Sequence, residues 1–293
     1  MTMEQKLRAL LIGAHPDDCD VIYGGFALKL LKAGYDVKFV SLTNGCCGHY
    51  EMQPEELAAR RYLEAQSVAE KFGLTYEIWD VNDCELIATL ENRKRMIRMI
   101  REYKPDVMVI HRLNDYHADH RNASQLVQDA SFLLTVPHFV PEAPAMFAPP
   151  VILYGYDGFQ NPPFKADLVF DIDDVMDDKY LMCNCHESQF YEWLPFTVGR
   201  LHEVPADPEE RLKWFHGTPI DRTKAPNDAE LLARADCGFR HEEREVILAA
   251  QLRDKLVERY GEKGKMVHFA EAYAVSEYGQ PLSKELEAKL FPF

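Results

Sequence analysis

The stretch LRALLIGAHPDDCD, Leu7 to Asp20, decides how the chain must be read. Leu7 to Ala14 is a short, mostly apolar run and predicts a strand. It ends in His15, Pro16, Asp17 and Asp18, so side chains suited to metal binding and proton transfer crowd its carboxyl end. Alone, such an ending reads as a turn with an aspartate cap on the following helix. The rest of the first half of the chain argues for more.

Val21 to Ala33 has helical period and stops at Gly34, and Val37 to Thr43 predicts a second strand. A helix starting near Pro54 runs to Phe72 and is stopped by Gly73, and Tyr76 to Trp79 reads as a short third strand. Leu90 to Tyr103 is a basic amphipathic helix broken by Pro105, Val107 to Ile110 is a fourth apolar strand, and a helix follows from Ala118. Alternation of this kind predicts an α/β, doubly wound (Rossmann-like) fold, a mostly parallel sheet with helices on both faces and a C-terminal extension. In that fold the fourth strand commonly lies beside the first, where strand order reverses, and ligands bind outside the strand ends there. A second polar cluster, NDYHADH (Asn114 to His120), follows strand four. The topology therefore brings His15, Asp17 and Asp18 into one crevice with Asp115, His117, Asp119 and His120.

Downstream, Val151 to Tyr154 and Leu168 to Ile172 predict strands and Val175 to Phe190 a helix. Pro195 to Asp236 is rich in proline and charge without a clear period, and reads as a long excursion, a lid or a subunit contact. A helix from His241 to Tyr260 and a short FAEAYAVS tail close the chain. The expected organisation is a Rossmann-like core over 1–194, an insertion over 195–236, and 237–293 completing the same domain.

The 293 residues carry 48 acids against 33 lysines and arginines, a formal charge of −15. Such a surface repels phosphate backbones and anionic headgroups, so neither nucleic acid nor a membrane surface is an expected partner. No run approaches the ~18–20 apolar residues of a spanning helix, and the N-terminus lacks an export signal, so a cytoplasmic location is expected. Seven cysteines without a CxxC pair argue for reduced thiols.

A crevice with several imidazoles and carboxylates cannot leave its charges unpaired, and a divalent cation is the natural solution. Three protein ligands plus water is the arrangement of catalytic zinc. That would leave one carboxylate as general base and a further histidine to meet a developing oxyanion, the inventory of metal-assisted hydrolysis. Two other readings use the same residues: a non-haem iron oxygenase with a two-histidine, one-carboxylate triad, and a metal-stabilised carbohydrate-binding protein without turnover.

The motifs resemble those of the PIG-L/LmbE-type N-acetylglucosaminyl deacetylases. The resemblance rests on AHPDDCD at Ala14 to Asp20 with Gly24-Gly25 behind it, Thr43, Gly45 and Gly48, and Arg61 to Glu64 closed by Gly73. It continues with Asp115 to His120, His186 with Ser188 and Gln189, and Glu271 to Tyr273. Alanine at 118, where the family commonly has proline, and Asp20 for glutamate depart from the pattern without removing a proposed ligand. The resemblance implies that His15, Asp18 and His120 bind Zn2+, with Fe2+ or Mn2+ as alternatives. It implies that Asp17 is the general base, that His117 steadies the oxyanion or protonates the departing amine, and that Asp119 orients His117; in the hydrolysis expected here His117 is protonated. Arg61, Glu64 and Asp115 would serve the substrate, a small N-acylated sugar or conjugate, and the protein would form a homo-oligomer. Independently of that likeness, neighbouring side chains in an extended segment point in opposite directions, so Asp17 and Asp18 cannot share one role.

Overall fold

All four predicted strands of the first half form. The computed structural model describes residues 6–233 and 242–293. Its order is β1 (Arg8–Gly13), α1 (Asp18–Lys32), β2 (Asp36–Ser41), α2 (Pro54–Phe72), β3 (Thr75–Ile78), α3 (Leu90–Tyr103), β4 (Val107–Ile110) and α4 (Ala118–Leu133). Then come β5 (Val151–Gly155), β6 (Leu168–Asp171), α5 (Met176–Asn184), α6 (Leu194–Thr197), α7 (Pro208–His216), α8 (Asp228–Ala233), α9 (Glu242–Gln251), α10 (Arg253–Tyr260), β7 (Ala270–Val275) and α11 (Lys284–Leu290).

The central strands β1 and β4 are almost wholly apolar because both faces are covered. Ala9 and Leu11 of β1 join one buried layer with Phe26 and Leu30 of α1, while Leu10 and Ile12 join the opposite layer with Ile97 and Ile100 of α3 and Val127 of α4. Burying each of the larger side chains contributes about 1.5–3 kcal/mol, which is what holds helices to both faces. The sheet order is β3-β2-β1-β4-β5-β7-β6. β1 pairs in parallel with β4, Ala9 opposite Val107 and Leu11 opposite Val109, so the strand order reverses between them as the doubly wound pattern requires.

Three segments differ from their sequence reading. The FAEAYAVS tail is an internal strand: β7 inserts antiparallel between β5 and β6, with Tyr154 opposite Ala274 and Phe170 opposite Glu271. The helix expected over 175–190 ends at Asn184, and a separate wide turn of helix covers Ser188–Trp193. The helix expected from His241 begins outside the described residues and is broken at Leu252 into α9 and α10. Within the aperiodic region, Phe215 of α7 and Leu231 of α8 are buried in the layer that contains Phe26. No helix among the described residues is long and apolar enough to cross a membrane.

Candidate metal centre

Gly13 ends β1, and a side chain there would meet the Asp18 Cβ at 2.5 Å. The glycine allows a turn tight enough for Asp18, opening α1, to fold back so that its Oδ2 accepts the amides of Ala14 and His15, both at 2.8 Å. Held there, Oδ2 lies 3.5 Å from His15 Nδ1 and 3.4 Å from Nε2 of His120, which the first turn of α4 supplies. The two ring nitrogens are 3.2 Å apart. Ligands about 2.0–2.1 Å from a tetrahedral zinc sit about 3.3–3.4 Å from one another, so this triangle fits a divalent ion as it stands.

The far nitrogen of each imidazole faces carboxylate. His120 Nδ1 is 3.1 Å from Asp115 Oδ1, and His15 Nε2 is 3.1 Å from Asp83 Oδ1 and 3.3 Å from Asp119 Oδ2. Carboxylates at these positions favour the ring proton on the outer nitrogen, which leaves the inner one to face a cation. Burial disfavours a charged His15, but Asp119, Asp18 and Asp83 outweigh it and draw the imidazole pKa well above its ordinary value. Burial likewise opposes ionisation of Asp18, and His120 with His111 overcomes it, holding the carboxyl well below the usual range. Several carboxylates around two imidazoles thus demand positive charge at the centre of the cluster.

Asp17 and Asp18 diverge. Asp17 Oδ1 accepts from Arg61 Nη2 at 2.7 Å, and Arg61 is anchored on the carbonyls of Gly45 at 3.2 Å and Pro16 at 3.0 Å. Gly45, at φ 68°, is in the left-handed region, and a Cβ there would meet Arg61 Nη1 at 2.5 Å. A cavity of about 380 Å³ opens over the triangle, lined by His15, Asp17, Arg61, Asp83, His117 and Gln189 among others.

Four expectations need correction in detail. Asp119 does not orient the His117 ring with its carboxylate; Oδ2 accepts the Cys84 amide at 2.7 Å and Oδ1 the Leu86 amide at 3.2 Å, and Oδ2 also faces His15. The contact runs the other way: the Asp119 amide donates to His117 Nδ1 at 3.2 Å, capping α4. With Nδ1 accepting, the His117 proton sits on Nε2 and the ring is neutral. Burial and the nearby His15 and His120 push its pKa down, so it is not the protonated group expected. Glu64 does not line the cavity; its oxygens accept from the Ser188 amide at 2.8 Å and hydroxyl at 2.6 Å, tying α2 to the segment after α5. Asp115 stands behind His120 rather than being free for substrate.

Two residues escaped the sequence reading. Asp83 lies in the loop after β3, far from either motif, and nothing in its spacing marks it. His111 follows directly on β4 and could have been flagged by that position; its Nε2 is 3.2 Å from Asp18 Oδ2, and its ring stacks on His120 with centroids 4.1 Å apart.

Fold and triangle together define a doubly wound α/β protein with a cluster of histidines and aspartates, of a kind that could hold a metal ion, at its strand-order reversal. Residues 10–131 match the family model described as PIG-L, GlcNAc-PI de-N-acetylase. The diacetylchitobiose deacetylase of Thermococcus kodakarensis is 32% identical over 200 residues, covering 64% of this chain and 74% of that one. A 4-oxalmesaconate hydratase from Pseudomonas putida is 28% identical over 205 residues, 67% of this chain and 79% of that one. The crystal structure of N,N'-diacetylchitobiose deacetylase from Pyrococcus horikoshii superposes with a TM-score of 0.62 at 23% identity, over 92% of this chain and 84% of that one. The chain belongs to the PIG-L family.

Proposed function

We propose that the protein is a zinc-dependent N-deacetylase that hydrolyses the acetamide of an amino-sugar-type substrate. The observation that carries this is the triangle of His15 Nδ1, Asp18 Oδ2 and His120 Nε2, with edges of 3.2, 3.4 and 3.5 Å, beside the separate carboxylate of Asp17. Those three residues would hold the ion, which supplies carbonyl polarisation and lowers the pKa of its water to about 7. Asp17, fixed through Oδ1 by Arg61, takes a proton from the attacking water with its other oxygen. His117 donates Nε2–H to the oxygen that becomes negative. A C–O bond forms, the C–N bond breaks, and the proton held by Asp17 passes to the departing nitrogen, giving acetic acid and a primary amine; the acid's remaining proton then passes to the amine, so acetate and an ammonium group leave.

The test is acetate and primary-amine release from a panel of N-acetylated sugars. Chelation should abolish release, and Zn2+ should restore it better than Fe2+ or Mn2+. Turnover that survives complete metal removal would sink this reading. The hydratase relative supports a second reading, water addition to a conjugated acid at the same centre. Loss of ultraviolet absorbance from such an acid, without amine release from any sugar, would favour it.

The carboxylates behind the imidazoles yield a further prediction. Asp115→Ala removes the partner of His120 Nδ1 at 3.1 Å. Metal affinity should fall about 10–100-fold, measured by competition with a chromophoric chelator. Unchanged affinity would mean that Asp115 does not support the site.

A further inference from the structure

A second cavity, of about 340 Å³, adjoins the metal triangle; its lining includes Asp18, Asp115, Tyr116, His120, Phe159 and Arg244. Nearly all the charge around it is already matched. Arg112 is held bidentately by Asp157 and donates Nη1 to the Pro162 carbonyl. Arg61 is committed to Asp17 and two carbonyls, and Asp115 to the His117 amide and His120. Arg244, in the first turn of α9, is the exception: its Nη1 is buried, and among the described residues it has no hydrogen-bond partner and no ion pair. The adjacent Glu245 acts on it only through space: its carboxylate is paired with Lys179 at 2.6 Å and makes no hydrogen bond or ion pair with Arg244.

Arg244 as a whole is half-buried, but a guanidinium nitrogen deprived of water and left without an acceptor is costly, and buried donors persist where a partner is supplied. Here the vacant donor lies on a substrate-sized cavity that shares Asp17, Asp18 and His120 with the proposed reaction site. Tyr116 and Phe159, with rings 6.5 Å apart and near-parallel, wall the same cavity and offer a face to a sugar ring. We infer that Arg244 receives an anionic group, carboxylate or phosphate, and that the substrate is an acid-bearing N-acetylated amino sugar rather than a neutral one. The planar fork of arginine suits either anion, and a local cation is what an anion needs to approach a chain of net charge −15. The inference rests on the deacetylase reading for the bond broken, though not for binding of the anion.

Three probes separate the cases: N-acetylglucosamine, N-acetylmuramic acid, which adds a carboxylate, and N-acetylglucosamine 6-phosphate. On metal-loaded wild-type protein, kcat/KM for one acid-bearing probe should exceed that for N-acetylglucosamine by about 10–10²-fold, the scale of a charge-assisted hydrogen bond. The probe that gains identifies carboxylate or phosphate as the source. Arg244→Gln should erase that ratio mainly through KM of the acid-bearing probe, and Arg244→Lys, keeping charge without the fork, should retain part of it. Calorimetric affinities for the same probes should fall in the same order. Equal kcat/KM for all three probes on wild-type protein, or a preference that survives Arg244→Gln, overturns the inference. If no probe releases acetate, the deacetylase reading fails on its own, and the calorimetric ratio still decides whether Arg244 binds the anion.

Discussion

Asp17→Asn should lower kcat for acetate release by about 10²–10⁴-fold, the usual range for a positioned general base, while bound metal and thermal midpoint stay at wild-type values. The substitution is isosteric. Arg61 Nη2, now donating to Asp17 Oδ1 at 2.7 Å, would donate equally well to an asparagine carbonyl and turn the amide NH2 toward the cavity. That NH2 cannot accept a proton, so geometry and metal ligands persist while the base is lost. The separation is clean because Asp18, next in sequence, points to His15 and His120 instead. Single-turnover rates with metal content measured on the same samples check it, and a variant within a few-fold of wild-type kcat would remove Asp17 from this role.

Lys179→Met should cost about 3–5 kcal/mol of stability and lower the thermal midpoint on the order of 10 °C, because it strips the cation from a buried cluster. Lys179 Nζ sits 2.6 Å from both Glu245 Oε1 and Glu271 Oε1. Glu271 in turn accepts the amides of Gly25 and Phe26, each at 2.8 Å, and the Tyr273 hydroxyl at 2.7 Å, so β7, α1, α5 and α9 meet at this point. Burial already raises the pKa of Glu245 even with Lys179 beside it. Without the lysine Glu245 takes up a proton on folding, and a group whose folded pKa is raised contributes stability in acid that is lost as pH rises. The deficit should therefore be smaller near pH 5 than near pH 8. Chemical denaturation at the two pH values measures it, and a pH-independent loss below 1 kcal/mol would show the cluster contributes little.

The alternation of apolar runs and helical periods from Leu7 to Leu133 was sufficient to place the reversal between the first and fourth strands. Motif residues at those two strand ends were therefore assignable to one crevice, and the divergence of Asp17 from Asp18 followed from their adjacency. Asp83 was not legible, because its approach to His15 depends on how the loop after β3 crosses the end of β1. Cys84, at φ 70°, turns that loop so that its amide reaches Asp119. The true attachments of Asp119 and Glu64 were hidden for the same reason: a carboxylate's partner is chosen by whichever amide or hydroxyl the fold delivers to it.

β7 shows the limit most plainly. Ala270 to Val275 is short and has a glutamate as its second residue, so local pattern says little; the slot between β5 and β6 and the waiting Lys179 make it a strand. By itself the sequence determined the fold class, the strand reversal and the ligand-type residues gathered there, since periodicity and strand-end position are local properties. Only the tertiary structure decided which oxygen faces which nitrogen, which arginine nitrogen lacks an acceptor among the described residues and which distant strand completes the sheet, because those depend on contacts between segments whose separation leaves no trace in spacing.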